Sequence, residues 1–162
     1  MAEIRFGILT ASDRSARGER PDTSGPALAD LVRAESGLVV KGAILPDDRS
    51  ALAATLREWA DSGEVDVILV TGGTGFAPRD VTPEATRDVI EKEAPGLPEA
   101  MRAASLKITP HAMLSRLVAG IRGRTLIIDL PGSPKGAVEN LQVILPVLGH
   151  AVKLLRDEDA GH

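Results

Sequence analysis

The stretch from Val65 to Thr86, VDVILVTGGTGFAPRDVTPEAT, constrains the fold of the whole chain. Val65-Asp66-Val67-Ile68-Leu69-Val70-Thr71 is a short apolar run rich in β-branched residues, the composition of a strand buried on both faces of a parallel sheet. It stops at Gly72, Gly73, Thr74 and Gly75. The glycines let the backbone turn with positive φ and bring successive amides up to a bound anion with no Cβ in the way. Beyond them, Thr82 suits an N-cap, Pro83 the first helical position and Glu84 the first turn, so a helix is expected from Thr82, with Asp80 just ahead of its positive end. A strand, a glycine loop and an aspartate at a helix start make a place to hold phosphates and a magnesium ion. The same pattern also fits an ordinary strand-to-helix connection. It is not a P-loop, because no Lys-Ser or Lys-Thr pair follows Gly75, and the G-x-G-x-x-G spacing is missing too.

Other segments repeat the alternation. Phe6 to Thr10 reads as a first strand that runs into Ala11-Ser12-Asp13-Arg14, and Ser15 to Pro26 reads as a long polar loop, either a lid over a binding site or a solvated linker. A helix is expected over Ala27–Glu35, a strand over Leu38–Leu45, and a second helix with Leu52, Leu56 and Trp59 on its core face. Between that strand and that helix stand Asp47 and Asp48, either of which fits a helix cap. Helices are expected from Pro83 to about Glu93 and from Glu99 to Lys107, the second after a break at Pro95-Gly96-Leu97-Pro98. The apolar region Leu97 to Val118 is either core or a subunit contact. Leu117 to Ile121 and Thr125 to Leu130 flank Arg122-Gly123 as a hairpin with one antiparallel strand. Ser133 and Pro134 start a last helix that carries Val138, Leu141, Leu145, Leu148, Val152 and Leu155 on one face, with a kink at Pro146 and a frayed tail from Asp157 to His162. Strand and helix in alternation give an α/β fold, a three-layer α/β/α domain around a mostly parallel sheet with one antiparallel strand. Right-handed crossovers then bring the loops after Thr10, Leu45 and Thr71 to one sheet edge.

Composition removes other classes. The 162 residues suit one domain spanning 1–162. A net charge of −4 and a pI near 5.4 argue against a nucleic-acid partner, as does the near absence of aromatics beyond Phe6, Trp59 and Phe76. There is no cysteine, and His111, His150 and His162 lack the spacing of a zinc cluster. Met1-Ala2-Glu3-Ile4-Arg5 lacks the pattern of a signal peptide, and no apolar run is read as the ~20 residues of a membrane span, so a cytoplasmic protein without a membrane partner is expected.

Seven ordered motifs sharpen the reading: S-D-R at Ser12, S-G-P at Ser24, L-P-D at Leu45, T-G-G-T-G-x-x-P-R-D-V-T-P-E-A-T at Thr71, S-L-K-I-T-P at Ser105, M-L-S-R at Met113 and L-P-G-S-P at Leu130. Together they closely resemble the MogA/MoaB family, whose molybdopterin-binding fold is shared with the G domains of gephyrin and plant Cnx. The resemblance implies a homotrimeric α/β/α domain with molybdopterin adenylyltransferase activity. ATP and molybdopterin give adenylyl-molybdopterin and pyrophosphate, with possible hand-over to a molybdenum insertase. It also implies that Asp47 and Asp80 are the functional carboxylates and hold Mg²⁺, which displaces the capping reading of Asp47. Gly72, Gly73, Thr74 and Gly75 are implied at the nucleotide phosphates, and Pro131, Gly132 and Ser133, with Ser12 and Asp13 on the same edge, at the molybdopterin.

The chemistry is compatible. A phosphate monoester nucleophile with a second pKa of about 6 is largely dianionic near neutrality, so no strong base is required. The obstacle is an anion attacking an anion, which calls for in-line positioning and charge neutralisation, with Arg79 or Lys135 as candidates beside the metal. Two alternatives stand: a MoaB-like paralogue with a different physiological reaction, and a trimeric scaffold that binds molybdopterin without catalysis.

Overall fold

The structure, a computed structural model, describes residues 3–158. In chain order it contains β1 (Arg5–Ala11), α1 (Asp13–Ala16), α2 (Ser24–Ala34), β2 (Leu38–Leu45), α3 (Arg49–Asp61), β3 (Val67–Thr71), α4 (Thr82–Val89), β4 (Lys92–Glu93), α5 (Gly96–Leu106), a 3₁₀ turn (Pro110–Leu114), β5 (Ala119–Arg122), β6 (Thr125–Leu130) and α6 (Pro134–Leu155). The strands form one sheet in the order β2-β1-β3-β6-β5-β4. β2, β1, β3 and β6 are parallel, and β5 runs antiparallel to both neighbours, which is the single reversed strand that the Arg122-Gly123 hairpin calls for.

Burial follows the alternation of side chains along the central strands. Phe6 and Ile8, Val67 and Leu69, Leu126 and Ile128 face a layer made by α2, α5 and α6, where Leu28, Met101, Leu141 and Leu148 are buried. Leu9, Ile68, Val70 and Ile127 face the opposite layer, against Leu52, Leu56 and Trp59 of α3 and Ala85 and Val89 of α4. Three layers result, as expected.

Several boundaries differ, each for a local reason. The polar stretch from Ser15 to Pro26 is not one long loop: α1 occupies its start, and α2 begins at Ser24 because Asp22 Oδ1 accepts the Gly25 N–H at 3.1 Å. β3 starts at Val67, two residues late, because Asp66 turns its carboxylate to the main chain and guanidinium of Arg5 and to Arg156. The helix after Thr82 ends at Val89, and Lys92–Glu93 leave it to pair with β5. Thr82 is its first residue and not its cap. Val81 holds the cap position, and the Thr82 hydroxyl donates to the Gly72 carbonyl at 2.7 Å. Pro95 to Pro98 does not break the chain, since α5 begins at Gly96 and proline is tolerated in a first turn, where its missing N–H has no partner to lose.

α6 runs unbroken through Pro146, and Ser133 caps it by accepting the Gly136 N–H at 3.1 Å. Its core face is Ala137, Leu141, Ile144, Leu148 and Val152, while Val138, Leu145 and Leu155 are only half-buried. With 22 residues it is long and apolar enough to cross a membrane, a match the sequence reading missed, yet its inner face forms part of the core. Of the expected tail, Asp157 and Glu158 close the helix through Glu158 N–H to Lys153 O at 2.9 Å. The rest of that tail, and Met1 and Ala2 of the leader reading, lie outside the described residues.

Candidate active site

The carboxyl ends of β1, β3 and β6 meet at the point where the chain winds to either side of β1. That is where open α/β sheets place their ligands. Cross-links hold these ends in register: Ser12 N–H donates to Leu45 O at 2.9 Å, Gly72 N–H to Leu130 O at 3.3 Å, and Thr71 Oγ1 to Pro131 O at 2.7 Å. The glycine loop needs its glycines. A Cβ at Gly72, whose φ is +98°, would sit 2.4 Å from Ala11 O, and one at Gly73, at φ +67°, would sit 2.6 Å from Thr82 Oγ1 and 2.9 Å from Asp47 Oδ1.

Above these ends lies an open cleft of about 630 Å³, lined by Ser12, Asp47, Gly72, Gly73, Asp80, Gly132 and Ser133 of the expected residues. Thr74, Gly75 and Pro131 instead line a second cavity of about 320 Å³, with Gly132 common to both. The expected residues thus divide between two adjoining chambers. The second also contains Arg102, Ser105, Ser115 and Asn140, and the Ser115 hydroxyl is buried there without a hydrogen-bond partner among the described residues.

The carboxylates differ in environment. Asp47 Oδ2 accepts the Asp13 N–H at 3.0 Å, whereas Asp47 Oδ1 is buried without a partner among the described residues. Burial pushes the Asp47 acid up, and the charges of Asp13 and Asp80 act in the same direction against the backbone bond from Asp13. Asp80 Oδ2 accepts the N–H groups of Gly75 and Ala77 at 3.2 and 3.0 Å, closing the glycine loop. Asp13 lines neither chamber. Its carboxylate takes a two-pronged contact from Arg79 at 2.9 and 3.0 Å and the Asp47 N–H at 2.9 Å, and the Arg79 bond holds its acid below the usual range. Arg79 is thereby committed, and Lys135 lies exposed, 3.9 Å from Glu139. Neither lines the cleft.

Residues outside the expected set complete the site. Asp22 lines the cleft and is anchored by Thr10 Oγ1 at 2.9 Å. Arg116, the arginine of M-L-S-R, ties the glycine loop to α4: its guanidinium donates to Gly75 O at 2.8 Å, Asp80 O at 2.9 Å and Glu84 Oε2 at 2.7 Å. The motif was visible, but its target lies 36 to 41 residues away.

Asp47, with its free buried oxygen, fits a divalent cation shared with Asp80. Among the described residues no three His, Cys, Asp or Glu side chains gather as a metal site, so the protein would supply two carboxylates and leave the other positions to phosphate and water, the usual habit of Mg²⁺.

The sequence model of the probable molybdopterin binding domain matches residues 7–150, which contain every one of these groups. The chain belongs to that family. Several proteins are similar to it over nearly its full length. Helicobacter pylori molybdopterin adenylyltransferase is 41% identical, covering 96% of this chain and 89% of its own. The cinnamon molybdenum cofactor synthesis protein of Drosophila melanogaster is 48% identical over 98% of this chain, which spans only 26% of that relative's length, and it spans 22% of Dictyostelium discoideum gephyrin. Among solved structures, the molybdopterin biosynthesis enzyme MoaB of Thermus thermophilus is 51% identical with a TM-score of 0.90, covering 95% of this chain and 97% of its own.

Proposed function

We propose that this domain is a molybdopterin adenylyltransferase that joins the terminal phosphate of molybdopterin to the AMP moiety of ATP. The observation that carries this is the cleft in which Asp47, Asp80 and the glycine loop meet, with one Asp47 oxygen buried and unpaired. The name of the Helicobacter pylori relative supports the same reading. In the reaction an oxygen of the dianionic phosphate monoester attacks the α-phosphorus of ATP. The bond from that phosphorus to the bridging oxygen breaks, and pyrophosphate leaves with the electron pair. No protein nucleophile takes part. The chain supplies positioning: Gly72 and Gly73, which line the cleft without side chains, and the end of α6 capped by Ser133 would receive the phosphates. Mg²⁺ held by Asp47 and Asp80 would neutralise charge on the triphosphate.

The test mixes protein, Mg-ATP and molybdopterin and follows pyrophosphate together with the mass of the adenylylated product. Product that appears only with both substrates, and is lost on chelation of the metal, is the expected result. Pterin binding without pyrophosphate would favour the scaffold. The 51% identity to a protein named MoaB favours, as the second reading, a MoaB-type role with the same cleft.

The assembly we propose is a homotrimer with a complete site in each subunit. Met101, Ala112, Leu117 and Val118 of the apolar segment are core, but Leu106, Ile108, Met113 and Leu114 stay exposed, which suits a subunit contact. Light scattering at micromolar concentration tests it, and a mass near 17.0 kDa would exclude a stable trimer. Hand-over of product to a molybdenum insertase fits relatives in which the matched region is about a quarter of a longer chain.

A further inference from the structure

We infer that Arg20 is a phosphate-binding residue of the cleft. This rests on the reading above that the cleft takes phosphorylated substrates. The charge lining the cleft is otherwise unfavourable to such a ligand: Asp22, Asp47 and Asp80 are all carboxylates, and Arg20 is the guanidinium among the lining residues. Of the nearby arginines, Arg17 holds Glu19 with two bonds at 2.9 and 3.1 Å, Arg79 holds Asp13, and Arg14 does not line the cleft. Arg20 has no hydrogen bond or ion pair among the described residues.

Its backbone is nevertheless held. On one side the Glu19 N–H donates to Arg14 O at 2.9 Å. On the other, Pro21 restricts the preceding residue to extended conformations, and Asp22 is fixed by the Thr10 hydroxyl at 2.9 Å and the Gly25 N–H at 3.1 Å. The anchor is tight, because a Cβ at Gly25 would sit 2.3 Å from Asp22 Oδ2. A guanidinium carried on an anchored segment at the rim of an acidic cleft, with its fork unspent, matches a phosphate oxygen pair in geometry and charge. Two phosphates share this chemistry, that of the nucleotide and that of the pterin monoester.

The test compares wild type with Arg20→Gln and Arg20→Lys, and with Arg17→Gln as a control for surface charge. Equilibrium binding of the magnesium complex of α,β-methylene-ATP is one arm and of molybdopterin the other, with KM and kcat measured in parallel. In Arg20→Gln one of the two affinities should fall about tenfold, with KM rising to match and kcat nearly unchanged. Lysine should restore part of the loss, Arg17→Gln should lose nothing, and the arm that responds identifies the phosphate. Unchanged affinities in both arms overturn the inference, as does an equal loss in Arg17→Gln. Wild type that binds these probes but forms no pyrophosphate would remove the proposed reaction and leave the Arg20 result standing; wild type that binds neither removes both.

Discussion

Asp13 and Asp47 hold each other across the ends of β1 and β2. The main-chain N–H of each donates to the carboxylate of the other, at 3.0 Å onto Asp47 Oδ2 and 2.9 Å onto Asp13 Oδ1. Asp47 therefore reaches the cleft on a backbone fixed by a residue that never touches it. Asp13→Ala should lower kcat about tenfold or more, by loosening a positioned carboxylate. Asp13→Asn should lose less, because its amide oxygen still accepts the Asp47 N–H. Turnover of both variants beside their thermal melts checks this, and full activity in Asp13→Ala would refute it.

Asp80 has two tasks that substitution can separate. Asp80→Asn keeps an oxygen for the Gly75 and Ala77 N–H groups but removes the charge, so turnover should vanish while stability and molybdopterin binding hold. Asp80→Ala should additionally cost about 1–3 kcal/mol in urea unfolding, because two loop donors lose their acceptor. If Asp80→Asn keeps most of its rate, the carboxylate has no role in the chemistry.

Asp129, the penultimate residue of β6, is fully buried, accepting the Thr86 hydroxyl at 2.6 Å and the Val118 N–H at 3.1 Å. Burial pushes its acid up to about 8. The folded chain then keeps a proton that the unfolded chain releases near the ordinary value of 3.8. Stability should fall as pH rises from about 4 to about 8, by at most about 1.4 kcal/mol per pH unit from this group, and level off above. Asp129→Asn should flatten that slope. Urea titrations at several pH values decide it, with an unaltered slope as the contrary result.

Asp66 works in the opposite sense. Burial by itself would raise its acid, but bonds from Arg5 and Arg156, the latter at 2.6 Å, outweigh burial and hold it below the usual range. Its contribution is complete above the unfolded value and is lost as pH falls through the depressed folded one, so it contributes to acid unfolding below about pH 4. Asp66→Asn should cost about 3 kcal/mol at neutral pH by leaving two guanidinium groups without their shared anion. The same variant should show a shallower acid limb, and an acid limb as steep as that of wild type would assign acid unfolding to other carboxylates.

Sequence served best where a residue's neighbours in the chain are also its neighbours in space. β2 and β6 have the bounds that their β-branched runs predict, and the glycine loop with Asp80 is closed by bonds spanning three to five residues. β4 escaped because Lys92 and Glu93 carry no apolar alternation, and their pairing is imposed by β5. The choice between Asp47 and Asp48 was resolved by resemblance alone. The structure supplies the physical reason: Asp48 Oδ1 caps α3 by accepting the Ala51 N–H at 3.0 Å, which leaves Asp47 facing the cleft. Asp22, Arg20 and Arg116 stayed unread because what makes them matter, a cleft wall or a loop staple, lies on other elements.

The last strand of the sheet to be synthesised does not end up at its edge. β6 inserts beside β3, and the Gly72 amide and Thr71 hydroxyl find their partners, Leu130 O and Pro131 O, only once it is there. On the ribosome, a nascent chain that has emerged as far as β5 already carries Ser12, Asp47 and the glycine loop but not the Leu130 and Pro131 carbonyls that fasten that loop to its neighbouring strand. Parallel pairing over such separations is slow to form. Competence to bind substrate therefore arrives late in the life of each molecule, and a fragment ending before β6 would inherit Asp47, Asp80 and the glycine loop without the strand that fastens the loop.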